Sequence, residues 1–203
     1  MKQRPIQTFV LGVLLFLPIT FAIWYLAAFI HLAPLTWLTE QLVQLSFPQS
    51  VLWLKLDGNT LVLASNFGTD ARGAIVSPPV SDDLMGFHLN PLIYTYSLPL
   101  LYALILATPA VSKWEQLLWG SLLWLPTACF SMFFSVLKLL AFEVGPAFQQ
   151  QQNLSLWVFD VIALSYQTGA LILPMIAPLV IWMALNRGFL LTLAPQLQRI
   201  LAH

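Results

Sequence analysis

Charged side chains are scarce in this sequence of 203 residues. Lys and Arg together number eight, Asp and Glu together number eight, and these four types make up 8% of the chain, whereas a soluble domain usually carries about 25%. Hydrophobic residues make up 59% of the chain, so too little charge is left to cover a soluble surface. The composition therefore predicts an integral membrane protein.

Basic residues show no excess, and cysteine is almost absent. The formal net charge is zero, so the chain lacks the basic face that neutralises phosphates, and we predict no nucleic-acid partner. The single cysteine, Cys129, excludes an internal disulfide bond and any metal site built from several cysteines.

Charge is missing altogether from four long apolar runs, and such runs predict transmembrane helices. A cleaved signal peptide is an alternative for the first run, because Lys2 and Arg4 precede it. That run is longer than the apolar part of a usual signal peptide, and Trp24 and Tyr25 suit an interfacial anchor near its end. We therefore predict a retained helix. The four runs cover residues 8–30, 90–109, 116–137 and 161–186.

The second run is expected to be the helix on which the rest of the membrane part is built. Asn90 precedes Pro91, and this pair predicts a helix start in which Asn90 is the N-cap and Pro91 takes the first helical position. Tyr94 and Tyr96 lie near this start, where an interfacial belt would hold them.

Residues 31–89 are predicted to leave the bilayer. Leucines at helical spacing predict an amphipathic surface helix over residues 31–48, with Leu35, Leu38, Leu42 and Leu45 on its apolar stripe. Asp57 and Gly58 then form a hairpin turn signal between two strand-like segments. We expect residues 51–89 to form a small β-rich cap of two or three short strands.

The predicted fold class is mainly α: a four-helix polytopic transmembrane protein with a small extracytoplasmic β-rich cap. Five basic residues fall on one side of this arrangement and three on the other, and the side richer in basic residues is expected to be cytoplasmic. The predicted parts are the N-terminus with helix 1 (1–30), the outer helix and cap (31–89), helices 2–4 with an outer polar loop at 138–160 (90–186), and a cytoplasmic amphipathic tail (187–203).

Residues suited to catalysis or metal binding are few. The four runs lack Asp, Glu, Lys, Arg and His, which disfavours coupled ion transport. Cys129 lies in the third run without a base or cation in the spans, so an inert thiol is favoured over a nucleophile. His31 and His88 with Asp82 or Asp83 would make a sparse metal site, and we disfavour it. The sequence predicts no enzymatic activity, no cofactor and no metal.

Contacts with a partner are expected at two helix ends near the outer membrane surface. The charges there have two interpretations, as solvated boundary residues or as docking points for a partner subunit. The candidate partner-binding residues are Asn90, Pro91, Tyr94, Tyr96, Lys138, Glu143 and Pro146.

Three segments, NPLIYTYSLPLLYALILATP, VLKLLAFEVGP and LILPMIAPLVIWMALNRGFL, resemble the exosortase H-associated membrane protein family of small bacterial proteins. The resemblance covers most of residues 90–191. Exosortases resemble sortases in using a Cys, an Arg and a His in the membrane to cut C-terminal sorting signals, and this sequence has no Arg or His in its spans to accompany Cys129.

The resemblance therefore implies a non-enzymatic accessory or scaffold protein that binds an exosortase or its sorting-signal substrate. It would lie in the bacterial inner membrane, surrounded by lipid, as a multi-pass protein with both termini in the cytoplasm. Two alternatives stay open: a membrane-embedded lipid-binding protein, and a cysteine transpeptidase of the exosortase type that uses Cys129.

Overall fold

The computed structural model describes residues 5–80, 84–109 and 112–193, and within these ranges the protein is mainly helical. Two π-helical segments, Leu140–Val144 and Thr168–Ile172, interrupt the regular helices. The helices are α1 (Pro5–Leu26), α2 (Ala28–Ser46), α3 (Leu92–Thr95), α4 (Ser97–Ala107), α5 (Lys113–Leu139), α6 (Pro146–Gln152), α7 (Leu156–Gln167), α8 (Leu173–Leu185) and α9 (Arg187–Leu193). The strands are β1 (Val51–Asp57), β2 (Thr60–Ser65), β3 (Gly68–Thr69), β4 (Ile75–Val76) and β5 (Gly86–Leu89).

Three of these helical stretches are long and apolar enough to cross a membrane: Ile6–Leu26, Lys113–Val144 and Leu156–Leu185. They match the first, third and fourth predicted runs. The second run forms a shorter apolar helix, Leu92–Ala107, so the four-helix count stays a prediction. The predicted tail is described only as α9, and its remaining residues, with Arg199 and His203, lie outside the described ranges.

The second run starts as predicted but is broken near its beginning. The Leu92 N–H donates to Asn90 Oδ1 at 3.0 Å, so Asn90 caps the helix. One residue, Tyr96, then separates α3 from α4. Pro99 accounts for this break, because it has no N–H to donate to the Thr95 carbonyl and its ring crowds that carbonyl.

The chain divides into two compact units, each assembled from separate stretches of sequence. The first unit consists of Met1–Ala27, Tyr96–Pro126 and Pro174–His203. The second unit consists of Ala28–Thr95 and Thr127–Leu173.

In the first unit, α1 packs along α4. Thr20 Oγ1 donates to the Pro99 carbonyl at 2.9 Å, and a Cβ built on Gly12 would lie 3.1 Å from Ala107 Cβ. The two contacts run in opposite directions along the chain, so the helices are antiparallel. A small residue on each helix lets the backbones approach closely, as is common between membrane helices.

Further hydrogen bonds between neutral groups join the helices of the first unit. The indole N–H groups of two tryptophans donate to hydroxyls on other segments: Trp124 to Ser97 and Trp182 to Thr108, both at 2.8 Å. The Tyr102 and Ser121 hydroxyls are 2.6 Å apart. Such bonds replace the ion pairs that the apolar helices cannot supply.

In the second unit, α2 packs on an antiparallel sheet of order β1-β2-β5. The hairpin is confirmed, since Asp57 pairs with Thr60 and Gly58 has φ +57°, a conformation that favours glycine. The Leu54 N–H donates to Glu40 Oε1 at 3.1 Å and ties α2 to β1. The predicted cap segment thus contains a small sheet, and the described residues form a second one, β3–β4, in addition; its extracytoplasmic location stays a prediction.

The second unit differs from its predicted form in two respects. On α2, Leu45 is 83% exposed, and the residues buried against the protein include Thr36 and Thr39, which a search for leucines misses; the surface location of this helix stays a prediction. Residues 138–160 are largely helical rather than a loop. Pro146 occupies the start of α6 after Gly145, whose φ is +65°, and glutamine is a good helix former.

The Gly169→Ala substitution is expected to destabilise the protein. A Cβ at this position would lie 2.9 Å from Ser131 Cα, and the Ser131 hydroxyl donates to the Gly169 carbonyl at 2.8 Å across the same contact. Overpacking of this kind costs about 1–3 kcal/mol, measurable as a lower midpoint of thermal unfolding in detergent.

Gly188→Ala is the matched control, because nothing lies within 4 Å of its Cβ position. Alanine favours a helix over glycine by up to about 1 kcal/mol, so this variant should be as stable as the parent or slightly more so. An equal gain in stability for Gly169→Ala would contradict the close approach of the two helices.

Candidate binding groove

The side chain of Gln151 connects α6 to two loops of the second unit. Its Oε1 accepts a hydrogen bond from Ser50 Oγ at 2.6 Å. Its Nε2 donates to the Gln49 carbonyl at 3.2 Å and to Ser77 Oγ at 2.9 Å. One amide thus fixes the position of α6 relative to the segment before β1 and the segment after β4.

Other residues of α6 strengthen this attachment. Gln152 Nε2 also donates to Ser50 Oγ, at 3.0 Å. Phe148 is fully buried, with its ring centroid 5.5 Å from that of Phe47 and 6.4 Å from that of Phe67. The aromatic cluster buries one side of α6, and the hydrogen bonds of the glutamines fix the orientation of the helix. Together these contacts hold α6 rigidly.

A groove with a volume of about 660 Å³ lies beside α6. One wall is formed by residues 74–77, and the other by Val144, Pro146, Ala147, Gln150 and Gln151. None of these residues is charged. The side chain of Gln150 forms no hydrogen bond with any residue that the structure describes, so its amide is available to a ligand.

Strand β4 presents a free edge to this groove. Gly68 pairs with Val76 and Thr69 with Ile75, and the Asp70 N–H donates to the Ala74 carbonyl at 2.9 Å. Hydrogen-bonding residues alternate along an antiparallel pair, so the N–H and C=O of Ile75 point away from β3.

No other strand among the described residues pairs with β4 on that side. All of residues 74–77 line the groove, as an edge does, whereas the face of a strand would present alternate residues only. The groove therefore offers backbone hydrogen-bonding groups on one wall and a free amide on the other.

The predicted partner-binding residues near Asn90 differ in their exposure. Asn90 is exposed and Tyr96 half-buried, but Pro91 and Tyr94 are buried. Tyr94 is only 4% exposed, so it offers little surface to a partner. A contact between Tyr94 and an outer partner stays a prediction.

The second predicted cluster contributes to the groove in part. Pro146 lines it, while Lys138 and Glu143 form an exposed ion pair of 3.1 Å. Helix α3, which contains Tyr94, packs against the π-helical segment Thr168–Ile172.

Sequence reasoning missed the residues on which the groove depends most, Gln150, Gln151 and Ile75. The signal for α6 was present, since proline after glycine and then a run of good helix formers is typical of a helix start. The free edge of β4 had no such signal, because it depends on the register of two very short strands.

The described residues do not bring the other candidate chemical groups together into a cluster of three or more. Cys129 is 7% exposed, and its sulfur lies 3.7 Å from Thr39 Oγ1. Within residues 5–80, 84–109 and 112–193, no cluster of three or more His, Cys, Asp or Glu residues could hold a metal ion. Asp82 and Asp83 lie outside those ranges.

Replacing Gln151 with alanine is expected to loosen α6. Three hydrogen bonds are lost, and Ser50 and Ser77 each lose a partner, which costs about 1–3 kcal/mol. The thermal midpoint should fall, and limited proteolysis should cut residues 66–80 faster. Gln150→Ala is the control, and an equal effect of both variants would contradict the assigned role of Gln151.

Comparison with known proteins gives one finding. A model of the family described as exosortase H-associated membrane protein matches residues 3–189, nearly the whole chain, including every residue of the groove. Searches of curated proteins and of solved structures returned no match. The apolar helices and this match agree with the resemblance noted in the sequence, and the chain is a multi-pass membrane protein that belongs to the exosortase H-associated membrane protein family.

Proposed function

We propose that this chain is a non-enzymatic accessory subunit of an exosortase H protein-sorting system, which holds the exosortase or its sorting-signal substrate at the membrane. The family description supports the association. The groove beside α6 carries the proposal, because it is a rigid, uncharged surface with a free strand edge.

An extended segment of the partner would bind there as an additional strand. Main-chain hydrogen bonds to Ile75 would supply affinity, as in other cases of strand addition. Gln150 would select for polar, uncharged groups, and Pro146 and Ala147 would contact apolar side chains. The bound segment would be an extended loop of the exosortase or an extended region that flanks a sorting signal.

The surroundings of Cys129 support the non-enzymatic part of the proposal. A cysteine nucleophile needs a base or a cation that favours the thiolate. The polar group beside this sulfur is the Thr39 hydroxyl, which is neither. We therefore assign Cys129 to packing within the second unit.

The proposed location is the bacterial inner membrane, with both termini in the cytoplasm and the groove on the outer side. To test it, the Ala71→Cys and Gly188→Cys variants are prepared in a Cys129→Ala background and treated with a membrane-impermeant maleimide in spheroplasts. Cysteine at position 71 should react and cysteine at position 188 should not, until the cells are lysed. The reverse pattern would refute the orientation.

Blocking the groove is expected to prevent association with the exosortase. The tagged chain is purified in mild detergent from cells that also produce exosortase H, and the bound exosortase is quantified. Ala147→Trp fills the groove from the α6 side, so recovery should fall at least about tenfold, as for the loss of an interface hot spot.

Two controls accompany this measurement. Ala71→Trp adds the same ring at an exposed position outside the groove and should leave recovery unchanged. Cys129→Ala should leave both recovery and substrate sorting unchanged, whereas loss of sorting alone would favour the cysteine transpeptidase. Full recovery with Ala147→Trp would exclude the groove, and no recovery with the parent chain would exclude the accessory function.

A further inference from the structure

A second pocket, of about 410 Å³, lies in the first unit. Its lining combines the rings of Phe9 and Phe189 with Ala107, Pro109 and the side chain of Lys113. Phe9 also stacks on Trp182 with 5.1 Å between ring centroids, and its centroid lies 5.4 Å from that of Phe189. Among the described residues, the lining of the pocket thus has an aromatic wall and one basic group.

The pocket arises because two packed helices differ in length. Gly12 lies against Ala107, where α4 ends, while α1 continues to Pro5 beyond this point. At about 1.5 Å per residue, α1 extends roughly 10 Å past the end of α4. Thr8 and Phe9 lie on that extension and cover the space that α4 leaves open.

Its position is at a boundary between membrane and water. Phe9 lies near the start of the apolar helix Ile6–Leu26, and Ala107 is the last residue of Leu92–Ala107. Lys113 is the first residue of Lys113–Val144, and Phe189 comes shortly after the end of Leu156–Leu185. These are corresponding ends of helices that alternate in direction. Trp114 beside Lys113 is 84% exposed, as tryptophans are in the aromatic belt at lipid headgroups.

Lys113 forms no ion pair with any residue that the structure describes. Its Nζ donates to the Leu106 carbonyl at 2.7 Å, which leaves two N–H groups for another acceptor. The ion pair found among the described residues joins Lys138 to Glu143, not Lys113. A half-buried ammonium group beside aromatic rings favours a ligand that has both an anionic group and an apolar part.

We propose that this pocket binds an anionic phospholipid, with the phosphate at Lys113 Nζ and an acyl chain along Phe9 and Phe189. The charge of Lys113 selects for an anionic headgroup, and the rings select for the chain. This site is independent of the groove beside α6, because its lining shares no residue with that groove.

The test is lipid retention by the purified full-length chain, measured by native mass spectrometry after equal exposure to phosphatidylglycerol and phosphatidylcholine with the same acyl chains. The parent chain should retain phosphatidylglycerol preferentially. Lys113→Gln should lower that retention about fivefold, the effect of one lysine near a charged headgroup, and Lys113→Arg should restore it.

Lys138→Gln is the matched control, since Lys138 lies at the opposite end of α5 and already has a carboxylate partner; its retention should equal that of the parent. Pro109→Asp puts a carboxylate in the pocket while keeping Lys113 and should lower retention as Lys113→Gln does. Equal retention of the two lipids, or unchanged retention in both Lys113→Gln and Pro109→Asp, would overturn the proposal.

Discussion

Hydrogen bonds between neutral groups are the interaction on which this fold depends. A backbone carbonyl or hydroxyl without a partner is costly in an apolar environment, and the apolar helices contain almost no charged side chains to satisfy one another. Thr20 therefore bonds to Pro99, Trp182 to Thr108, and Ser131 to Gly169. Each of these bonds joins segments far apart in sequence, so together they specify which helices pack together within each unit.

Helix α4 takes part in two of these contacts. Pro99 breaks the helix at Tyr96, and the Pro99 carbonyl also accepts a hydrogen bond from the hydroxyl of Thr20. The same helix is shorter than its neighbour α1, and the space left at its end becomes the pocket that contains Lys113. The end of α4 thus contributes both to the packing of the first unit, through the bond from Trp182 to Thr108, and to the site that we assign to a lipid.

The sequence was sufficient to predict features that depend on local chemistry. The lengths of the apolar runs correctly predicted three long helices. Asn90 and Pro91 predicted a helix start, and Asp57 with Gly58 predicted the hairpin. Features that depend on tertiary contacts were missed. Tyr94 is a tyrosine near a helix start, where belt residues are common, but it is buried. The run of polar glutamines in α6 suggested a loop, because the sequence does not show that Ser50 and Ser77 form hydrogen bonds with Gln151.

Because the hydrogen bonds between the helices join neutral groups, dissolved salt has few charge–charge interactions to screen in the apolar part of the molecule. Salt weakens exposed ion pairs such as Lys138–Glu143, and pH acts where charged side chains meet water. Detergent extraction at high salt should therefore leave the folded helices intact while removing contacts that depend on surface charge. The groove beside α6 is lined by uncharged residues, so a partner bound there would be retained under the same wash.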